Sequence, residues 1–309
     1  MFVNPDRSTA HNPVKGFVFA LSGVIVVSTN FVTAKYGTQG FNVETFSTIW
    51  TTAAAFYCLA VLALSGTWKE VRVPRGSGWS VAVLGVATAV IMLTGWCGLS
   101  RLDPSISSFL WRFGPVLTIL LGAIVLGERL GAIEMCALAL MVAGGVVSAI
   151  GRWNAIGLGV VLTLISCGAT AVQLLMAKMR AQDIHPNALV FYRAAIGAVL
   201  IAAWTFGTGK ADFDVPASYW IVTLVGALLG PCLSYLLLFR SYRYWDLSRT
   251  EVVRTMQPLF VLPMAYVAFR KLPVPQEMLG GGLILVGALW IGWVHLRRQT
   301  AEQPKLPNE

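Results

Sequence analysis

The sequence predicts an all-α integral membrane fold: ten transmembrane helices arranged as two inverted five-helix repeats. Three observations carry this reading. The 309 residues are 56% hydrophobic and only 12% charged, about half the ~25% charge of an ordinary soluble domain. The few charges are clustered, so that long stretches carry none. The chain also resembles itself when displaced by 143 positions.

The charge-free stretches set the spans in order. Lys15 and Lys35 bracket 19 uncharged residues, Glu44 and Lys69 bracket 24, and Arg75 and Arg101 bracket 25. Later gaps run from Glu134 to Arg152 (17), Arg152 to Lys178 (25), Asp214 to Arg240 (25) and Glu277 to Arg297 (19). Three more apolar segments, Pro104–Gly127, Pro186–Gly209 and Leu247–Phe269, contain charge. A helix that crosses the hydrocarbon core needs about 20 mainly apolar residues, so these segments make ten spans. The expected layout is a polar N-terminal tail (1–14), a first five-helix repeat (15–152), a second (153–296) and a C-terminal tail (297–309). No small-residue cleavage site follows a short apolar run, so the first span is expected to stay in the protein.

Charge placement predicts orientation. If the spans alternate, the face holding both termini carries 14 Lys/Arg and the opposite face six. The positive-inside rule puts the richer face in the cytoplasm, in a cell inner (plasma) membrane, with both termini cytoplasmic. The net charge of +9 is then topological and implies no nucleic-acid partner. The five cysteines, Cys58, Cys97, Cys136, Cys167 and Cys232, each fall in a different span and read as small buried hydrophobes. They make neither a disulfide framework nor a metal site, and no cofactor is expected.

At the 143-residue offset, Asp103 falls on Asp246, Ser105 on Ser248, Pro115 on Pro258, Glu134 on Glu277, Gly144 on Gly287 and Asn30 on Gln173. Five spans per half is an odd number, so the second half enters the membrane with the opposite orientation. Inverted repeats supply two similar bundles that can rock around one central site, a common transporter architecture. The expected activity is therefore movement of a small solute by alternating access, and the expected partners are that solute and the lipid bilayer.

Ionisable residues inside the spans mark where such a site would lie, because a charge at the bilayer centre costs at least ~2.5–3.5 kcal/mol. Arg112 lies nine residues beyond Asp103 and Arg254 eight beyond Asp246, about 13 and 12 Å deep at ~1.5 Å per residue. Arg193 lies seven residues beyond Pro186. Polar stripes accompany two of them at helical spacing: Ser105, Ser108, Arg112 and Pro115 in the fourth span, and Ser248, Glu251, Thr255 and Pro258 in the ninth. Asn30 and Gln173 add amides from the first and sixth spans. An arginine fork suits carboxylate or phosphate, so the expected solute is an amino acid or another carboxylate-bearing metabolite, with export favoured. A drug, or a phosphorylated or nucleotide-linked metabolite, is the alternative. The candidate substrate-binding set is Asn30, Trp50, Arg112, Gln173, Tyr192, Arg193, Glu251 and Arg254.

Bland readings stand beside these. Glu251 and Arg254 are i,i+3 neighbours and can form a fixed pair. Arg193 can snorkel to the cytoplasmic interface. Trp50, Trp96, Trp111, Tyr192 and Tyr235 read first as packing groups or interface anchors. Glu251, well inside its span, is also the candidate for a proton-coupling group. The glycine-rich fifth, eighth and tenth spans read as close-packing surfaces, and the tenth as a possible dimer face in a monomer or homodimer. An intramembrane enzyme is disfavoured because His11, His185 and His295 lie far apart and form no metalloprotease pattern. A channel is disfavoured because no ring of selectivity groups is evident.

Short motifs strengthen the architecture. Ser28 to Lys35 is a small-polar stretch with an aromatic and a closing lysine. Pro115 is followed by Leu126-Gly127-Glu128-Arg129-Leu130, and Gly144-Gly145 lies in the fifth span. These residues resemble signatures of the drug/metabolite transporter superfamily in its EamA-type branch, over roughly residues 15–296. The resemblance implies cytoplasmic termini, a bacterial-type inner membrane, and export or uptake of small metabolites such as amino acids. Two positions depart from the pattern: Lys271 stands where the second half's Leu-Gly-Glu acid would fall, and Trp50 replaces an expected arginine that Arg193 supplies at its repeat partner.

Overall fold

The described residues open in helix at Pro13 and close in helix at Glu302. The computed structural model describes residues 13–66, 71, 73, 76–111, 113–126, 132–149, 153–180, 184–241, 244, 250, 253–254, 256–270 and 274–302. Among them there is no strand. The first half contains α1 (Pro13–Gly40), α2 (Val43–Leu64), α3 (Gly78–Arg101), α4 (Pro104–Leu110), α5 (Phe113–Leu126) and α6 (Ala132–Ala149). The second contains α7 (Trp153–Arg180), α8 (Pro186–Gly207), α9 (Ala217–Ala227), a π-helical turn (Leu228–Ser234), α10 (Tyr235–Ser241), α11 (Gln257–Phe269) and α12 (Pro275–Glu302). The pair α4–α5 makes the fourth span, and α9, the π turn and α10 make the eighth, giving two five-span repeats. Among the described residues six helices are long and apolar enough to cross a bilayer on their own.

Local chemistry sets several ends. Asn42 caps α2, its side chain accepting from the Thr45 N–H at 2.8 Å, which satisfies one of the donors a helix start leaves open. Pro186 opens α8 just after His185, whose Nδ1 accepts from the Asn187 N–H at 3.3 Å; a missing N–H costs nothing at that position. At the end of α3, Lys35 Nζ donates to the carbonyls of Leu99, Ser100 and Leu102 at 3.0, 3.0 and 2.8 Å. A cation there fills unsatisfied acceptors and complements the negative end of the helix dipole. The lysine of the first-span motif thus ties α1 to α3.

Packing follows the exchange of halves. The sixth-span helix α7 packs on α3, and α1 packs correspondingly on α9, the π turn and α10. The second and seventh spans, α2 and α8, pack together, as do the fifth and tenth, α6 and α12. The last contact depends on absent side chains. A Cβ on Gly144 would lie 2.6 Å from the Gly280 carbonyl oxygen, and one on Gly287 2.5 Å from Met141 Cγ. These glycines are therefore used inside the chain, where close helix approach replaces the hydrophobic drive that lipid cannot supply. Large apolar residues such as Phe56, Val86, Val199, Trp204 and Val267 face outward, as lipid solvation allows.

Candidate functional site

The halves meet around a cavity of about 50 Å³. That is room for about three waters, and about a third of the ~150 Å³ that holds a benzene, so the walls are drawn in. The first half contributes Asn30 of α1, Trp50 of α2, Met92 and Trp96 of α3, and Trp111 and Gly114 of the fourth span. The second contributes Thr170 of α7, Pro231 and Tyr235 of the eighth span, and Arg254 and Gln257 of the ninth.

Eight lining residues form four equivalent pairs at the repeat offset. These are Val27 with Thr170 (170 − 27 = 143), Met92 with Tyr235 (235 − 92 = 143), Trp111 with Arg254 (254 − 111 = 143) and Gly114 with Gln257 (257 − 114 = 143). The pseudo-symmetry of the fold therefore passes through the cavity.

Of the candidate binding residues, Asn30, Trp50 and Arg254 line this space. Arg254 is 9% exposed, its cation held in the wall. Arg112 and Glu251 lie outside the described residues. Gln173 and Arg193 sit together behind the wall. Arg193 is 2% exposed; it donates to the Pro231 carbonyl at 3.0 Å and to Gln173 Oε1 at 3.4 Å, and stacks over the Tyr235 ring with Cζ 3.6 Å from its centroid. It braces two wall residues from behind and does not snorkel. Gln173 Nε2 donates to Thr88 Oγ1 at 2.6 Å and to the Leu84 carbonyl at 3.4 Å. Tyr192 is elsewhere, its hydroxyl donating to the Val71 carbonyl at 2.7 Å, and it does not line the cavity.

The π turn explains the Arg193 contact. Pro231 has no N–H, and the widened turn offers its carbonyl to the guanidinium. The preceding glycine lets α1 in: a Cβ on Gly230 would fall 1.9 Å from Asn30 Oδ1. Four wall atoms, Asn30 Oδ1 and the indole Nε1 atoms of Trp50, Trp96 and Trp111, are buried with no hydrogen-bond partner among the described residues. Such orphans are rare in folded proteins and call for a ligand or water.

One end of the bundle is sealed above the cavity. Phe46, Trp50 and Trp96 pack mutually, with ring centroids 5.1, 5.8 and 5.4 Å apart, and Phe41 meets Trp220 edge-on. Beyond them Lys210 pairs with Glu44. The Lys210 carbonyl accepts from Asn42 Nδ2 at 2.8 Å and from Thr45 Oγ1 at 3.1 Å.

Trp96, Trp111, Tyr235, Thr170 and Gln257 were not singled out as binding groups by sequence. In the ninth span Arg254 and Gln257 face the cavity, while Pro258, a member of the polar stripe, is buried away from it. In the fourth span Trp111 and Gly114 do so, and Ser108 is buried elsewhere. The 143-residue repeat was a signal for Trp111 alone, the equivalent of Arg254; the other four are equivalents of no candidate residue.

A duplicated membrane bundle, helical throughout its described residues, with a cavity shared by both halves defines a multi-pass membrane protein. The chain belongs to the EamA-like transporter family, which it matches over residues 14–150 and again over 157–293. It is 25% identical over 300 residues to a probable terminal-alkyne amino-acid exporter of Streptantibioticus cattleyicolor, covering 91% of this chain and 95% of that one. It is 23% identical over 274 residues to an uncharacterized transporter of Haemophilus influenzae, covering 83% and 85%. A crystal structure at 19% identity superimposes with a TM-score of 0.64, covering 93% of this chain and 99% of that one, and shares the fold.

Proposed function

We propose that this transporter is a secondary exporter of an amino acid or another carboxylate-bearing metabolite, working by alternating access in the cytoplasmic membrane with both termini in the cytoplasm. The observation that carries the reading is Arg254, a buried cation in the wall of a cavity shared by both repeats. Its planar fork suits a carboxylate, and in a water-poor site that contact gains strength. The amino-acid exporter among the relatives supports the solute class and the direction.

In the cycle, the solute's carboxylate engages Arg254 as the walls part to admit it. The rings of Phe46, Trp50 and Trp96, with the Glu44–Lys210 pair, close one end. Rocking of the two bundles breaks that seal and forms an equivalent one at the other end. Thermal midpoints of the purified protein against a metabolite panel test the solute class. A ligand bound only to the folded state at one hundred times its Kd stabilises by about 2.7 kcal/mol. Carboxylates should raise the midpoint in wild type and not in Arg254→Ala, and vesicles should then show Arg254-dependent transport. Stabilisation by cations or neutral compounds alone, or an unchanged response in the variant, would remove the carboxylate from the reading.

A further inference from the structure

The repeat builds two equivalent helix joints. In one, α3 packs on α7; in the other, the eighth span packs on α1. Their levels correspond at the 143-residue offset. Arg180 and Ser80 are the equivalents of Gly37 and Thr223, Gln173 of Asn30, and Ser166 of Gly23.

Hydrogen bonds fasten the first joint at each of these levels. Arg180 Nε donates to Ser80 Oγ at 2.9 Å, Gln173 Nε2 to Thr88 Oγ1 at 2.6 Å, and Ser166 Oγ to the Ile91 carbonyl at 3.1 Å. The second joint has a glycine at each matching place. A Cβ on Gly37 would lie 2.8 Å from Thr223 Oγ1, one on Gly23 would lie 2.8 Å from Leu238 Cγ, and Asn30 presses on Gly230. Among the described residues no side-chain hydrogen bond joins α1 to the eighth span. Hydroxyls there turn to their own helix, Ser28 to Val24, Thr33 to Thr29 and Ser234 to Gly230. Stacking takes over at the sealed end, where the Tyr36 and Tyr219 ring centroids are 5.0 Å apart.

Thr223 Oγ1 and Asn30 Oδ1 are buried in the second joint with no partner among the described residues. Closing that joint strands polar groups that water reaches when it parts, whereas parting the first joint breaks bonds already made. The helix of the second joint is also interrupted. The π turn over Leu228–Ser234 holds Pro231, and its equivalent, residues 85–91, is continuous helix in α3. A π turn and a proline are places where a helix bends. Arg193 anchors the turn through the Pro231 carbonyl, and α9, just before it, carries Tyr219 and Trp220 to the sealed end.

We infer that the two joints have different tasks: the α3–α7 joint stays closed through the cycle, and α9 swings away from α1 about the π turn to open the sealed end. This rests on the alternating-access reading above and names the joint that moves in it. The motion is then hinged in one repeat instead of being shared equally by both. Glycine contacts and stacked rings part without breaking a hydrogen bond, and the fastened joint gives the moving helix a fixed frame.

The test measures how fast a charged maleimide, which reaches a thiol only through water, labels the full chain in detergent. Thr223→Cys and Ser80→Cys place thiols at equivalent positions that are 0% and 3% exposed, and wild type supplies the background from the native cysteines. The labelling rate follows the population of the open joint. Thr223→Cys should label about tenfold faster than Ser80→Cys. Ser80→Cys weakens its own bond to Arg180, so the contrast is measured against the looser form of the fastened joint. Pro231→Ala restores an N–H to the turn and lets regular helix form; added to Thr223→Cys, it should slow labelling about threefold or more.

Equal rates at the two positions, or faster labelling at Ser80→Cys, would overturn the inference. So would a Thr223→Cys thiol that labels no faster than background, or a rate that Pro231→Ala leaves unchanged. If Ser80→Cys does not fold, Ser166→Cys reports the same joint from a deeper level. Labelling needs no solute, so it is read apart from the carboxylate panel. A failed contrast leaves Arg254-dependent binding standing, and a panel without a stabilising carboxylate removes the solute class and not the hinge.

Discussion

Asn30 and Gln173 occupy equivalent positions in the first and sixth spans, yet their amides live differently. Asn30 lines the cavity with its Oδ1 unpartnered among the described residues, pressed against the backbone of Gly230. Gln173 is 2% exposed, donates to Thr88 and Leu84, and accepts from Arg193. The next pair repeats the contrast, since Trp50 and Arg193 are also 143 positions apart. Trp50 lines the cavity and packs in the aromatic seal, while Arg193 is spent on Gln173, Pro231 and Tyr235. Duplication copies a backbone position and not its task. One copy has become a poised wall, and the other the brace that holds the opposite wall still.

Breaking the brace should have the largest effect on the fold. Arg193→Ala strands the Pro231 carbonyl and Gln173 Oε1 in the interior, each costing about 1–3 kcal/mol when left unmade. A loss of about 3 kcal/mol is expected, read as a lower thermal midpoint with or without ligand. Arg193→Lys, which keeps the charge but loses the fork and the stacking, should recover only part of it. A midpoint unchanged in Arg193→Ala would make the brace reading untenable.

Gln173→Leu should cost less, about 1–2 kcal/mol, because it removes one acceptor from Arg193 and one donor from Thr88. Its effect should again fall on stability, with solute affinity changed by less than about threefold, since each 1.4 kcal/mol is a factor of ten. Asn30→Ala should show the reverse. The group it removes has no partner to lose, so the midpoint should move by less than about 1 kcal/mol, while solute affinity drops about tenfold in titration. Should the two amides behave alike, the contrast between wall and brace is lost.

The smallest effect belongs to the Glu44–Lys210 pair. Lys210 is 54% exposed at its side chain, and an exposed pair is worth about 0–1 kcal/mol. Glu44→Gln should change stability by less than about 0.5 kcal/mol and make the transport rate less sensitive to salt, because screening weakens such pairs. A midpoint loss above about 2 kcal/mol would show that the sealed end rests on the ion pair instead of on the rings beneath it.

Much of this architecture was legible in the sequence because lipid imposes a length and a charge pattern on each span. The segment brackets from Lys15–Lys35 to Glu277–Arg297 found helices that the structure confirms, and the offset of 143 located the duplication. Arg254 was found as a deep cation for the same reason, since a charge in an apolar run stands out. Trp96 and Trp111 were not, because a tryptophan in a membrane helix has the same sequence signature whether it faces lipid, a neighbour or a cavity.

The sequence by itself determined the solvent of this protein, the number and order of its spans, its two-fold plan and two of its buried cations, Arg193 and Arg254. Each is a property of runs and spacings that backbone hydrogen bonding in lipid makes obligatory. Which face of each helix turns inward was decided only by the tertiary structure. Helices apolar all round carry no amphipathic signal to fix their rotation. Rotation is set instead by close contacts such as Gly144 on Gly280 and Gly230 on Asn30. Those contacts brought Trp111 and Arg254, equivalent in position and opposite in chemistry, to the two sides of one cavity.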